Sequence, residues 1–221
     1  MKIKHIWLFI TSMLYGVNLI CQDSLTIEKN KDLKVFSLRL GIDLFKPIKT
    51  NLEENFQGLE IVGDLKINRR IFIAAELGSE KKTQQTEQLN FTTNGSYVKL
   101  GVDYNFFNNW KGMDNSLFVG IRISNSIHSH KVNEYILYEN YSAADFKNSY
   151  FERSVINEGN LIGEREQLNS NWIEVLFGTK VEVLNNFYIG ASIRLHRLLN
   201  NSQLENFGNL YAPGFNKIVD D

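Results

Sequence analysis

Two histidines flank a serine at His128-Ser129-His130. Histidines two apart at a strand end can share a metal ion, and a histidine beside a serine has the residue types for hydrolysis of an acyl substrate such as a lipid. Neither constellation is complete. No carboxylate is fixed nearby by spacing, although Glu134 is close in sequence, and polar loop residues are the reading the pattern favours. His196, two residues from Arg194, reads as a hydrogen-bonding interior residue rather than a ligand or base. No catalytic, cofactor-binding or metal-binding residue is therefore assigned, no cofactor is expected, and the chain is read as non-enzymatic. A stretch with Tyr135, Tyr138, Tyr141, Tyr150 and Phe151 is interleaved with Glu139, Asp145 and Glu152. It suits either a recognition surface or a loop packed down on its own scaffold, and packing is favoured. The one cysteine excludes an intramolecular disulfide framework and a cysteine-rich zinc fold. A formal net charge of −1 argues against a nucleic-acid binder working by bulk positive charge.

The elements that would position these groups repeat with period two. Alternation runs through residues 36–44, 59–67, 71–77, 98–106, 117–123, 173–183 and 187–196. One face reads Leu38, Leu40, Ile42 in the first segment, Val98, Leu100, Val102 in the fourth and Ile173, Val175, Phe177 in the sixth. No position on these apolar faces is charged, whereas a helical period would interrupt each stripe with Asp, Arg or Lys. Seven strands are predicted, each long enough to cross a bilayer when tilted. Short connections at Asn68-Arg69, at 184–186 and around Asn108–Asn115 alternate with longer ones at 47–57, 80–96 and 126–170. Short turns on one rim and long loops on the other are the pattern of an up-and-down barrel.

Alternation alone does not say which face is inside. A soluble barrel encloses the apolar face, and a membrane barrel encloses the polar one. Large aliphatic groups on every strand would overfill a narrow barrel interior. Gly41, Gly101, Gly120, Gly178 and Gly190 fall on the polar face, where they make room for long neighbours such as Arg39, Arg122 and Arg194. The interior would then hold Arg39, Lys66, Lys99, Arg122, Lys180 and Arg194 opposite Asp43, Glu60, Asp64, Glu76, Asp103, Glu174 and Glu182. Near-balance of charge suits ion pairing and a plugged core rather than a charge-selective pore. Tyr97, Tyr104, Phe106, Phe107, Trp110, Trp172, Phe187 and Tyr188 gather near strand ends, as an interfacial aromatic girdle would.

Residues 1–21 have the form of an export signal, with Lys2 and Lys4 before the apolar run Ile6–Ile20. Cleavage after Cys21 leaves 22 basic and 25 acidic residues and no cysteine. Lipidation of Cys21 is the alternative, although Leu19 and Ile20 are not the small pair that normally precedes a lipidated cysteine. Residues 22–33 form a lead, and 34–221 the barrel domain. After Leu199 alternation stops, and the rest reads as a fourth long loop. Seven strands cannot close an antiparallel up-and-down barrel, so an eighth, final strand is expected beyond this sequence.

The Ile20-Cys21-Gln22 signal end, the Leu40-Gly41-Ile42-Asp43 strand, the run Tyr97 to Asn105, Phe118-Val119-Gly120-Ile121-Arg122 and Trp172-Ile173-Glu174-Val175 together resemble a family of Bacteroidota outer-membrane β-barrel proteins. The resemblance spans roughly the whole chain and implies an eight-stranded barrel in the cell outer membrane, without lending any functional residue. The sequence thus predicts an all-β, antiparallel, transmembrane barrel with outer-membrane lipid and the barrel-assembly machinery as partners. Its long loops would serve adhesion, recognition or envelope integrity. An outer-membrane lipid-modifying enzyme using His128, Ser129 or His130, and a soluble periplasmic barrel binding an apolar ligand, stand as alternatives.

Overall fold

The computed structural model describes residues 37–109, 113–140, 151–159, 162–202 and 208–218. Seven strands follow one another in an antiparallel path: β1 (Ser37–Ile42), β2 (Phe56–Lys66), β3 (Ile71–Gln85), β4 (Leu89–Asn105), β5 (Ser116–Asn140), β7 (Gly163–Leu184) and β8 (Phe187–Asn201). A short β6 (Phe151–Ile156) pairs only with the far end of β5. The seven alternating segments thus correspond to the seven strands of the path. Their registers keep like faces together, as Leu65↔Ile73↔Val102↔Ile121↔Val175 runs across five strands.

Three expected loops are largely ordered elements. Strands β3 and β4 continue through most of 80–96 to a turn at 86–88, and β5, β6 and β7 fill much of 126–170. The connection after β1 holds the one helix among the described residues, α1 (Phe45–Leu52). Pro47 is tolerated there because the first helical turn makes no use of its missing N–H, and the Asp43 carboxylate accepts the Phe45 N–H at 2.7 Å. The C-terminal stretch is not a plain loop either. Tyr211–Ala212 (β9) and Asn216–Lys217 (β10) form a small hairpin around Pro213, Gly214 and Phe215.

Ion pairs join strands far apart in the order. Lys180 of β7 reaches Asp64 of β2 at 2.6 Å, and Arg194 of β8 reaches Glu76 of β3 at 2.6 Å. Such contacts require the sheet to curl until its polar face is concave. Among the described residues no ladder joins β8 to β1, so the sheet is curled rather than closed. The usual order of a globular protein is inverted. Glu60 is 1% exposed and Arg122 3%, whereas Leu100 is 56% and Ile121 52% exposed.

Candidate functional site

Alternation sends Glu60, Glu76, Lys99, Asp103, Arg122, Glu174 and Arg194 to the concave face from six strands, and the curl brings them together. The Arg122 guanidinium donates to Asp103 through Nη1 at 2.6 Å and Nη2 at 3.1 Å, and through Nε to Glu76 at 3.1 Å. Arg194 Nη1 lies 2.6 Å from Glu76 and 3.1 Å from Glu174. Lys99 Nζ sits among Glu174 at 3.2 Å, Glu60 at 3.6 Å and Glu76 at 3.7 Å. Each buried charge therefore has an opposite partner, which a low-dielectric interior demands. Nearer the short turns, Arg39 pairs with Asp64, while Lys66 and the Tyr188 hydroxyl both meet Asp114. Glycine is required inside this network. A Cβ on Gly120 would stand 2.1 Å from Asp103 Oδ1, and one on Gly101 1.8 Å from the Ile121 carbonyl oxygen.

Above the ionic layer the C-terminal hairpin closes the concave face. Ala212, Phe215 and Ile218 pack with Tyr97 and Trp172, and the Phe215 ring meets the Trp172 and His196 rings edge-on at 5.8 and 4.7 Å. The Glu80 carboxylate holds the hairpin by accepting the Tyr211 hydroxyl at 2.8 Å and the Gly214 N–H at 3.1 Å. It also pairs with Lys46 of α1. Burial and Glu80 together raise the Tyr211 phenol pKa, so the hydroxyl stays a donor. Gly214 has φ +81°, and a Cβ there would lie 2.6 Å from the Tyr97 ring. Gly214→Ala is expected to cost about 1–3 kcal/mol through strain and overpacking. With Trp7 and Trp110 replaced by phenylalanine, acrylamide should then quench Trp172 more strongly, and unchanged quenching would show that the hairpin does not shield it.

The aromatic expectation divides. Tyr104, Phe106 and Phe187 are exposed on the convex face at the short-turn end, and Phe107, just past β4, is exposed at the same end. Tyr97 and Trp172 instead point inward and are buried, so they belong to the core and not to a girdle. They sit one position out of step with the aliphatic rows, and the Trp172 indole N–H donates to Glu174 at 2.7 Å. Trp110 lies outside the described residues.

The histidine–serine motif is split by the strand it lies on. His128 and His130 point inward and are buried, while Ser129 points outward and approaches the Asn94 carbonyl at 3.5 Å. His128 Nδ1 meets Ser126 at 3.3 Å and Nε2 meets Asn209 at about 3.1–3.2 Å. His130 stacks on Phe91 at 4.5 Å and contacts Thr93 at 3.1 Å. Among the described residues Glu134 joins neither histidine. No group of three metal-ligating side chains occurs among the described residues. Tyr135 lies on β5, Tyr141, Asp145 and Tyr150 lie outside the described residues, and the side chains of Tyr138, Glu139, Phe151 and Glu152 are likewise not described.

Sequence reasoning missed Glu80, Ser126, Asn209 and Tyr211. Pro213-Gly214 between Tyr211 and Phe215 was the available signal, because a Pro-Gly pair flanked by apolar residues marks a turn. No curated protein and no solved structure matches the chain. The model of the Domain of unknown function (DUF6048) family matches residues 3–221, and the chain belongs to that family.

Proposed function

We propose that this chain is a small, non-enzymatic outer-membrane β-barrel protein whose strands cross the membrane. One observation carries the reading: every strand of the path turns aliphatic side chains outward while the enclosed face holds paired charges. In water that arrangement would leave a large apolar surface wetted and bury ions for no gain. Against lipid both faces suit their surroundings. The outward row of β5 runs Leu117, Val119, Ile121, Ile123, Asn125 and Ile127, with Asn125 its one polar member. Eleven residues span about 36 Å of strand, or about 28 Å of height at a tilt of about 40°. Tyr104, Phe106, Phe107 and Phe187 supply aromatic anchors at one rim. No helix among the described residues is long and apolar enough to cross a membrane, and a strand-crossing protein needs none.

β1 and β8 run in the same direction, so direct pairing would not be antiparallel. One further strand between them completes eight. Gly41, Gly190 and Ser192, beside this seam, are exposed although they face inward. Residues 1–21 direct export, with Cys21 at the cleavage point or carrying a lipid, and the barrel-assembly machinery inserts the product. Beyond the apolar belt β5 continues from His128 to Asn140, about 40 Å of strand. Together with β6 and the ends of β4 and β7 it forms the surface through which an adhesive, recognition or envelope role acts. The lipid-modifying alternative is not favoured, because Ser129 faces away from both histidines.

Expression of the full-length protein with its signal tests this directly. The protein is expected in the outer-membrane fraction, migrating faster on a gel before boiling than after. Recovery in the soluble periplasm with a single mobility would refute the proposal.

A further inference from the structure

Helix α1 is turned inside out. Leu44 before it and Phe45, Ile48 and Leu52 within it are all 55–79% exposed. The polar side of the helix packs on the sheet instead. Lys46 pairs with Glu80, the Lys49 ammonium lies 4.4 Å from the Phe56 ring centre, and Thr50 Oγ1 accepts the Gly58 N–H at 3.0 Å. A helix on a water-exposed rim gains by the opposite orientation. The apolar stripe is continuous with the convex aliphatic rows, since Leu44 follows Ile42 and the Asp43 N–H donates to the Glu60 carbonyl beside Leu59 and Ile61.

Between α1 and the outer faces of β2, β3 and β4 lies an open groove of about 530 Å3. Leu59 borders it on the apolar side. Thr50, Gln57, Ser79 and Asn94 supply polar groups, and Lys81 adds a cation that has no ion-pair partner among the described residues. The polar lining begins where the aliphatic rows end. That sequence of apolar, neutral polar and cationic groups matches a lipid molecule read from its acyl chains to its phosphate.

We propose that α1 and this groove form a lipid site at the long-loop rim. Leu44, Phe45, Ile48 and Leu52 enter the upper acyl region as an in-plane anchor, and Lys81 meets the phosphate of an anionic lipid headgroup. The inference rests on the membrane-barrel reading and adds a depth and a ligand class to it.

The test uses the full chain in phosphatidylcholine vesicles, in a Cys21→Ser background with an environment-sensitive fluorophore at Ile48→Cys, Ile121→Cys or Glu87→Cys. Nitroxide near the headgroup is expected to quench the probe at position 48 most strongly. Nitroxide deep in the acyl chain should quench position 121, and aqueous iodide position 87. If position 48 behaves like position 87 while position 121 is still quenched from deep lipid, the anchor is refuted and the barrel reading stands. If position 121 is not quenched by lipid, both fall. For the headgroup, spin-labelled phosphatidic acid should be held over spin-labelled phosphatidylcholine by about fivefold more in the unsubstituted chain than in Lys81→Gln, the factor one lysine at an anionic surface supplies. Equal selectivity in the two proteins would overturn the role given to Lys81.

Discussion

Glu76→Ala is expected to lower the unfolding free energy by about 3–5 kcal/mol, the loss that follows removal of one member of a buried ion cluster. Glu76 touches Arg122 at 3.1 Å, Arg194 at 2.6 Å and Lys99 at 3.7 Å. Its removal leaves three cations sharing Asp103, Glu174 and Glu60, and no water fills the gap without drawing solvent into the interior. Glu76→Gln keeps the shape and two hydrogen-bonding atoms, so it should fall between the two. Glu76→Ala combined with Arg194→Ala removes both members of the 2.6 Å pair and returns the cluster to its original net charge, so it should recover part of the loss, a non-additivity that identifies a shared network. Reversible urea unfolding in vesicles measures these proteins and Arg194→Ala alone, which completes the cycle. A change of less than about 0.5 kcal/mol for Glu76→Ala, the size expected of a surface site, would show that the concave face is solvated.

Ile121→Arg tests the opposite face, and its sign separates two worlds. Ile121 lies mid-strand on β5 and is 52% exposed. Facing lipid near the bilayer midplane, arginine there should cost about 2–4 kcal/mol. Facing water, the same change replaces an exposed aliphatic group by a charged one and should be neutral within about 0.5 kcal/mol. The measurement is the same unfolding equilibrium, with Lys81→Arg as a rim control that should change little in either case. A neutral Ile121→Arg would sink the membrane reading whatever the fractionation result.

The strands were legible because each buries one face and presents the other to a different medium, so period two survives along their whole length. The far ends of β3, β4 and β5 were read as loops for the same reason in reverse. Around Thr83, Thr92 and Asn133 the outward positions turn polar while the inward ones mix Phe91 and Val132 with polar groups, so period two loses the contrast of the lower strands. Helix α1 was hidden because Leu44 continues the rhythm of β1 and Pro47 breaks the pattern after only three more residues. Its outward apolar stripe also removes the usual cue, an apolar side matched to a core. Charges on the inner face were assigned correctly by type, since parity alone fixes which way each points. Their pairing was not legible, because Lys180 with Asp64 and Arg194 with Glu76 depend on curvature that no local pattern encodes. Tyr97 and Trp172 were placed on the wrong surface because both fall at segment ends, where one step of register decides between girdle and core.

The Glu80 carboxylate is reached from positions 46, 211 and 214, so it ties the helix after β1 to the hairpin of β9 and β10. Tyr211 lies 131 residues along the chain from it. The mouth of the molecule therefore stays unfinished until the chain as far as Tyr211 and Gly214 is in place. Closure is thus a contact across a long stretch of chain, slow to form, rather than a local event.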